Sequence, residues 1–213
     1  MSRILILGAA GQVAQLVIKQ LLAEQQHQLV LYLRHADRLA PLTTQPQVTV
    51  IEGDVNDYPQ LVNAMSNVDS VYANLGGQFE PMVKNIVRAM AETNVQRLIY
   101  ISGLGLYHEV PGEFGRWNEQ AVGHQVMEDT RDAARLIETS DLNYAILRCA
   151  YMTDAPITNY ELTEKGTAFK GTIISRQSIA TVVQKLIDNP NLGHRVSWGI
   201  NQPNTDGDRP QYQ

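Results

Sequence analysis

Ile4-Leu5-Ile6-Leu7 is a run of four apolar, strand-forming residues, and Gly8-Ala9-Ala10-Gly11-Gln12-Val13-Ala14 follows it without a gap. A strand with no polar member has no face for water, so it must be covered on both sides, as interior parallel strands are. After the glycines, Val13, Leu16, Val17, Leu21 and Leu22 recur at the three-and-four spacing of a helix face. A buried strand that turns through glycines into a helix brings backbone N–H groups to the positive end of the helix, where an anion can sit. Gly8 permits the tight turn, Gly11 lets the backbone approach a pyrophosphate, and Ala14 keeps helix and strand in close packing. The pattern is G-x-x-G-x-x-A, a relative of G-x-G-x-x-G. Its place between strand and helix carries the signal. A plain turn without a ligand is the alternative.

The rest of the chain repeats the alternation of strand and helix. Helices are expected over residues 12–26, 59–65, 79–93, 117–139 and 177–188, and strands over 29–33, 48–51, 70–73, 98–101, 143–147 and 195–198. Alternation at this spacing indicates a parallel sheet covered on both faces, with right-handed crossovers. Residues 103–115, rich in glycine and containing Pro111, read as a long loop. Residues 160–170 read as a loop or short hairpin over the sheet edge, and the polar tail from 202 is expected to dock weakly or stay disordered. The 213 residues suit a single domain, 1–213, with 151–175 contributing a small lobe.

Composition narrows the partners. A net charge of −5, with 17 basic residues scattered along the chain, gives no reason to propose nucleic acid. No apolar segment approaches the roughly 20 residues of a membrane span, and nothing near the start resembles a signal peptide. The single cysteine, Cys149, precludes an internal disulfide, so a soluble, cytoplasmic protein is expected. No His or metal-ligand spacing accompanies Cys149, which reads as an inert buried thiol, and no metal site is expected.

In an open parallel sheet, ligands bind beyond the carboxyl ends of the strands, near the point where strand order reverses. That rule gathers Gly8, Ala10, Gly11, Gln12, Val13, Arg34, Asp54, Val55, Asn74, Leu75, Gly76, Ser102, Gly103, Cys149, Ala150 and Tyr151 on one lip. The end of the second strand says most about the ligand. An NAD-binding protein usually places Asp or Glu there for the ribose hydroxyls, but this chain has Leu33-Arg34, and its first acid is Asp37. A carboxylate would repel a 2′-phosphate, whereas a guanidinium pairs with it through two parallel bonds. Arg34, with Arg38 one turn later, therefore argues for NADP(H) over NAD(H); a solvated strand-end cation is the plainer alternative. Asp54 either lies near the adenine amino group or caps the helix beginning near Asp57.

G-A-A-G-Q-V-A, R-H-A-D-R-L after the second strand and G-D-V after the third resemble the atypical short-chain dehydrogenase/reductases, in particular their NmrA-like, NAD(P)H-binding branch. L-I-Y-I-S-G, S-D-L-N-Y-A-I-L-R and T-I-I-S-R-Q-S-I-A extend the resemblance to about residue 190. It implies an α/β fold, a Rossmann-type doubly wound parallel sheet binding NADP(H), with a small C-terminal substrate lobe. Reductases of this group commonly use Tyr-x-x-x-Lys on the helix after the fifth strand, with a Ser nearby. Ser102 stands where that serine is expected, but residues 117–139 hold neither tyrosine nor lysine. Arg131 falls near the lysine position, where it could touch the cofactor ribose. Tyr151 falls where flavin reductase-like relatives place a residue facing the nicotinamide, as a proton donor or as an aromatic wall; Tyr107 lies in the preceding loop. His124 reads as a helix-surface residue. Ser175-Arg176 reads as structural, with Arg176 anchoring the returning loop.

Three functions compete on these features. One is an NADPH-dependent oxidoreductase moving hydride to a small acceptor, a flavin, quinone or carbonyl compound. The second is a non-catalytic NADP(H) sensor acting through a regulatory protein partner. The third is an isomerase or epimerase, disfavoured because such sites keep the catalytic tyrosine. A homodimer is compatible with all three. Fold alone does not choose among them.

Overall fold

A computed structural model describes residues 1–157 and 159–212. β1 (Ser2–Leu7) leads into α1 (Gln12–Glu24), then β2 (His27–Leu33), a 3-10 helix (Ala36–Thr44), β3 (Val48–Glu52), α2 (Tyr58–Ala64) and β4 (Ser70–Ala73). α3 (Phe79–Thr93), β5 (Arg97–Gly103), α4 (Gly112–Val122), α5 (His124–Thr139) and β6 (Asn143–Cys149) follow. The chain ends with β7 (Tyr151–Thr153), β8 (Glu161–Thr163), β9 (Ile173–Ser175), α6 (Arg176–Asp188) and β10 (Val196–Asn201).

The main sheet has the order β3-β2-β1-β4-β5-β6-β10-β8. Every pairing is parallel except that of the edge strand β8 with β10. Strand order reverses between β1 and β4, so the crevice for a ligand opens there. β7 and β9 form a separate parallel pair at the mouth of that crevice.

The apolar run of β1 divides between two cores, as a strand without a polar face must. Ile4 and Ile6 pack with Val13, Val17, Ile179 and Val183 from α1 and α6 on one face. Leu5 and Leu7 pack with Leu61, Val83, Ile86 and Ile137 from α2, α3 and α5 on the other. β4 and α3 match the sequence expectation residue for residue.

Three expectations need correction. The helix expected over 117–139 is two helices broken at Gly123, and α4 begins at Gly112, inside the expected loop. Glu119 of α4 and Glu128 of α5 both pair with Arg131, which bridges the break. Helical periodicity continues through Gly123, so the pattern of apolar residues could not reveal the interruption. Residues 160–170 include the strand β8, which extends the sheet edge.

The tail beyond 202 is docked. Thr205 is buried, its hydroxyl donates to the Gln202 carbonyl, and its backbone carbonyl accepts from the Thr172 hydroxyl at 2.6 Å. The Gln211 amide donates to that same Thr172 hydroxyl at 3.3 Å. A polar tail can be held in this way by side-chain-to-backbone bonds that leave no hydrophobic signature in sequence. Among the described residues, no helix is long and apolar enough to cross a membrane.

Candidate functional site

The turn after β1 is built by exclusion of side chains. Gly8 has φ +73°, and a Cβ placed on it would run into the Asn74 backbone carbonyl. A Cβ on Gly11 would run into the Asn74 side-chain amide. Gly8 is therefore required by the closeness of the β4 end to the turn, while a side chain at Gly11 would displace the Asn74 amide. The Gly8 amide donates to the Tyr32 carbonyl at 3.0 Å, and the Gly11 amide to the Gly8 carbonyl at 2.9 Å. The Ala10 carbonyl accepts from Gln15 Nε2 at 2.8 Å and Arg38 Nη2 at 3.4 Å, which fixes the turn in one shape.

Two helix N-termini near the crevice differ in a way that bears on ligands. Asp129 of α5 places its carboxylate on the start of α3, accepting from the Phe79 and Glu80 amides at 2.6 and 2.9 Å. α1 has Gly11 as its N-cap, and among the described residues no side chain caps its first turn. The first-turn amides of a helix require an acceptor from outside it, and at α1 the fold supplies no side chain for the purpose. A phosphate oxygen fits that place.

A cleft of about 470 Å³ lies over this turn, lined by Gly8, Ala10, Gly11, Gln12, Arg34, Arg38, Asp54, Val55, Asn74, Leu75 and Gly76 among others. Arg34 and Arg38 are exposed, and among the described residues neither is paired with a carboxylate. Asp54 accepts from the Asn56 amide at 2.8 Å, and it is Asp57 that caps α2. Asp54 thus remains at the cleft edge. Tyr32 forms part of the floor, its hydroxyl donating to the Asp54 carbonyl at 2.9 Å. Burial, with Asp57 and Asp54 nearby, pushes its phenol up to about 12, so it stays neutral.

A second cleft, of about 490 Å³, opens on the far side of Asn74 and Leu75. Gln12, Val13, Ser102, Cys149 and Tyr151 line it, together with Phe79, Val122, Val126 and Met127. Ser102 is 7% exposed, and among the described residues its hydroxyl has no hydrogen-bond partner. The Tyr151 hydroxyl donates to Asn118 Oδ1 at 2.9 Å, and its ring packs 5.2 Å from that of Trp117. Burial raises the phenol above its ordinary value, with Tyr212 adding to the effect. Cys149 is buried and its thiol is pushed well up by desolvation.

The structure therefore brings Gly8, Ala10, Gly11, Gln12, Val13, Arg34, Arg38, Asp54, Val55, Asn74, Leu75, Gly76, Ser102 and Tyr151 to one continuous crevice. It does not bring Arg131 there. That guanidinium is 6% exposed and faces away, donating to the Gly105 carbonyl at 3.0 Å, to Glu128 at 2.6 Å and to Glu119. Its role is to close the α4–α5 break, and it lines neither cleft. Tyr107 also faces elsewhere: its hydroxyl donates to Glu138 at 2.7 Å and meets Ser197 at 2.8 Å.

Asn118 and the Arg148–Glu109 pair near the crevice carry no sequence motif. Asn118 holds the Tyr151 hydroxyl. Arg148, fully buried on β6, donates to Glu109 at 2.6 Å and to the Thr163 and Ser197 carbonyls at 3.0 and 3.2 Å. Glu109 in turn accepts from the Gly105 and Tyr107 amides at 3.1 and 2.8 Å. An arginine inside an apolar strand was the available sequence signal, since a buried charge requires a partner. Arg176, expected from the sequence to be structural and to anchor the returning loop, is paired with Asp154 at 2.7 Å and also lines the second cleft.

Comparison with known proteins agrees with this geometry. The profile of a family described as NAD(P)H-binding matches residues 8–190. A short-chain dehydrogenase/reductase (wide type) from Veillonella parvula DSM 2008, solved in complex with NADP, superposes with a TM-score of 0.94 at 30% identity, covering 99% of each chain. A Rossmann-fold NAD(P)-binding family protein from Shigella flexneri is 37% identical, with a TM-score of 0.83 and full coverage of both chains (100% and 100%). An isoflavone reductase homolog A622-like protein from Nicotiana tabacum is 23% identical over 89% of this chain, and the chain spans 65% of that protein's length. Matched from the first glycine of the turn to just past α6, the chain belongs to the NAD(P)H-binding family of Rossmann-fold proteins.

Proposed function

We propose that the protein binds NADP(H) in preference to NAD(H) and acts as an NADPH-dependent reductase of a small acceptor such as a flavin, quinone or carbonyl compound. The observation that carries this reading is the uncapped start of α1 facing the same cleft as two unpaired guanidiniums, Arg34 and Arg38. A dinucleotide with a third phosphate matches that donor set: helix amides for the diphosphate, guanidiniums for the 2′-phosphate. The relative solved with NADP supports the cofactor, and relatives named as reductases support the reaction class.

When bound, the nicotinamide supplies hydride. The amides of Gln12 and Val13 would hold the diphosphate, and Asn74 and Leu75, which line both clefts, divide the nucleotide side of the crevice from the acceptor side. Ser102, unpartnered in the second cleft, offers a hydrogen bond to whatever lies there. Tyr151 serves as an aromatic wall, its hydroxyl proton committed to Asn118. The proton that completes reduction then comes from water through the open mouth. Residues 151–175 and 103–115 form the acceptor lobe.

A second reading, an NADP(H) sensor acting through a protein partner, is favoured by that same committed hydroxyl, because a sensor needs no acid. Titration calorimetry with NADPH and NADH, followed by an absorbance screen of NADPH with quinones, flavins and aldehydes, separates the two. Tighter NADPH binding with oxidation by at least one acceptor is the expected result. Tight binding without oxidation by any acceptor turns the assignment to the sensor. No heat with either nucleotide removes both.

A further inference from the structure

The second cleft does not end at Tyr151. A further cavity of about 520 Å³ adjoins it, walled by Thr153, Asp154, Ala155, Ile173, Gln202 and Tyr212. Met152 and Arg176 line both spaces and so stand where the two meet. The docked tail contributes to this annexe through Gln202 and Tyr212.

The two spaces differ in chemistry. The inner one is walled by apolar side chains such as Phe79, Val122, Val126 and Met127 and by the Tyr151 ring, which Phe114 and Trp117 back, with Ser102 as a polar group unpartnered among the described residues. Among the described residues lining it, Arg176 is the sole charged side chain. That side chain is 19% exposed and is paired with Asp154, which is 82% exposed. An exposed carboxylate on a partly buried guanidinium is a weak partner, because water competes for it. An anion entering through the annexe meets a cation already desolvated on its inner side.

We infer that Arg176 recognises an anionic appendage on the acceptor, a phosphate, sulfonate or carboxylate lying in the annexe, while the acceptor's planar apolar body occupies the inner cleft. The inference rests on the acceptor side of the proposed function and adds a specificity-determining residue to it. Asp154 covers the guanidinium when the annexe holds no anion and is displaced by the appendage. Tyr212 supplies the outer wall.

Matched acceptors that differ by one anionic group test this. Riboflavin and FMN are one pair; 1,2-naphthoquinone and its 4-sulfonate are the other. Binding of each is measured by titration calorimetry on the full chain saturated with NADP+, so the nucleotide cleft is closed to the probe and no turnover is needed. The anionic member of at least one pair is expected to bind about ten-fold more tightly, the effect of one charge-assisted contact. Arg176→Gln should abolish that preference and leave the neutral member unchanged. Arg176→Lys should retain part of it. Asp154→Asn, which leaves the arginine untouched, should strengthen the anionic member alone.

Equal affinities within both pairs, absence of binding by all four probes, or an Arg176→Gln variant that weakens both members alike would each overturn the inference. Oxidation of NADPH by the neutral and anionic acceptors with equal KM would overturn it while leaving the reductase assignment intact. An anion preference in binding with no NADPH oxidation would do the reverse.

Discussion

The two sides of the crevice, parted by Asn74 and Leu75, are built by different means. On the nucleotide side the backbone makes the site: a glycine turn, an uncapped helix and one strand end, all but the last within a dozen residues. On the acceptor side distant side chains make it. Trp117, Asn118 and Tyr151 meet from α4 and β7, and the Glu109–Arg148 pair ties the loop after β5 to β6, β8 and β10. A site made by local backbone is robust and general, whereas one made by long-range side-chain contacts is easily retuned and depends on a few anchors.

The largest effect should come from breaking such an anchor. Removing one member of a buried ion pair leaves the other charge without a partner, at a cost of about 3–5 kcal/mol. Glu109→Ala also deprives the Gly105 and Tyr107 amides of their acceptor. Chemical denaturation should show the loss directly, and replacing both Glu109 and Arg148 by Met should cost less than Glu109→Ala alone. The folded fraction of Glu109→Ala should keep its NADPH affinity and lose acceptor affinity. Equal losses of both would mean that the two sides are not built separately.

On the nucleotide side the corresponding change is Gly8→Ala. A side chain forced to φ +73° costs about 1–3 kcal/mol of backbone strain. The overlap with the Asn74 carbonyl adds to this and pushes β4 away from the turn. Calorimetry should show nucleotide affinity falling by more than the stability loss explains, because the amides of α1 move with the turn. Unchanged NADPH binding in a folded Gly8→Ala variant would refute the placement of the diphosphate.

These two cases also show how much of the molecule could be read in advance. β1, the turn, α1, β4 and α3 were legible because each is set by its own residues, through apolar runs, glycine spacing and helix periodicity. The lip of the crevice followed from strand ends alone, and the structure gathers those residues together. Arg131 was misplaced because position along a helix does not say which acids lie across a break; Glu119 and Glu128 engage it. The α4–α5 break, the β8 edge and the docked tail were hidden for a related reason. Each is fixed by contacts to segments far away in sequence, such as Thr205 to Thr172. Asn118 carried no motif at all.

Cofactor choice should respond next most strongly. Arg34→Asp replaces a cation at the β2 end by a carboxylate, removing an attraction and adding a repulsion. Loss of a charged hydrogen bond of about 1.5–3 kcal/mol corresponds to a roughly 10- to 100-fold rise in KM for NADPH. KM for NADH should change much less. Arg38→Gln should show a smaller shift in the same direction, because Arg38 also serves the Ala10 carbonyl. Equal changes for both nucleotides would remove the 2′-phosphate from the account.

The smallest effects belong to the acceptor wall, and there their size is the result of interest. Tyr151→Phe removes one hydrogen bond to Asn118, worth about 1 kcal/mol of stability, and leaves the ring in place. If the ring is a wall, turnover should fall by less than about ten-fold, whereas a general acid in that position would be worth about 10²–10⁴. Ser102→Ala breaks no hydrogen bond to any described residue, so thermal stability should hold or rise slightly. Any fall in turnover with Ser102→Ala therefore reports a contact made only when the crevice is filled, and steady-state kinetics with NADPH held at saturation assigns that contact to the acceptor.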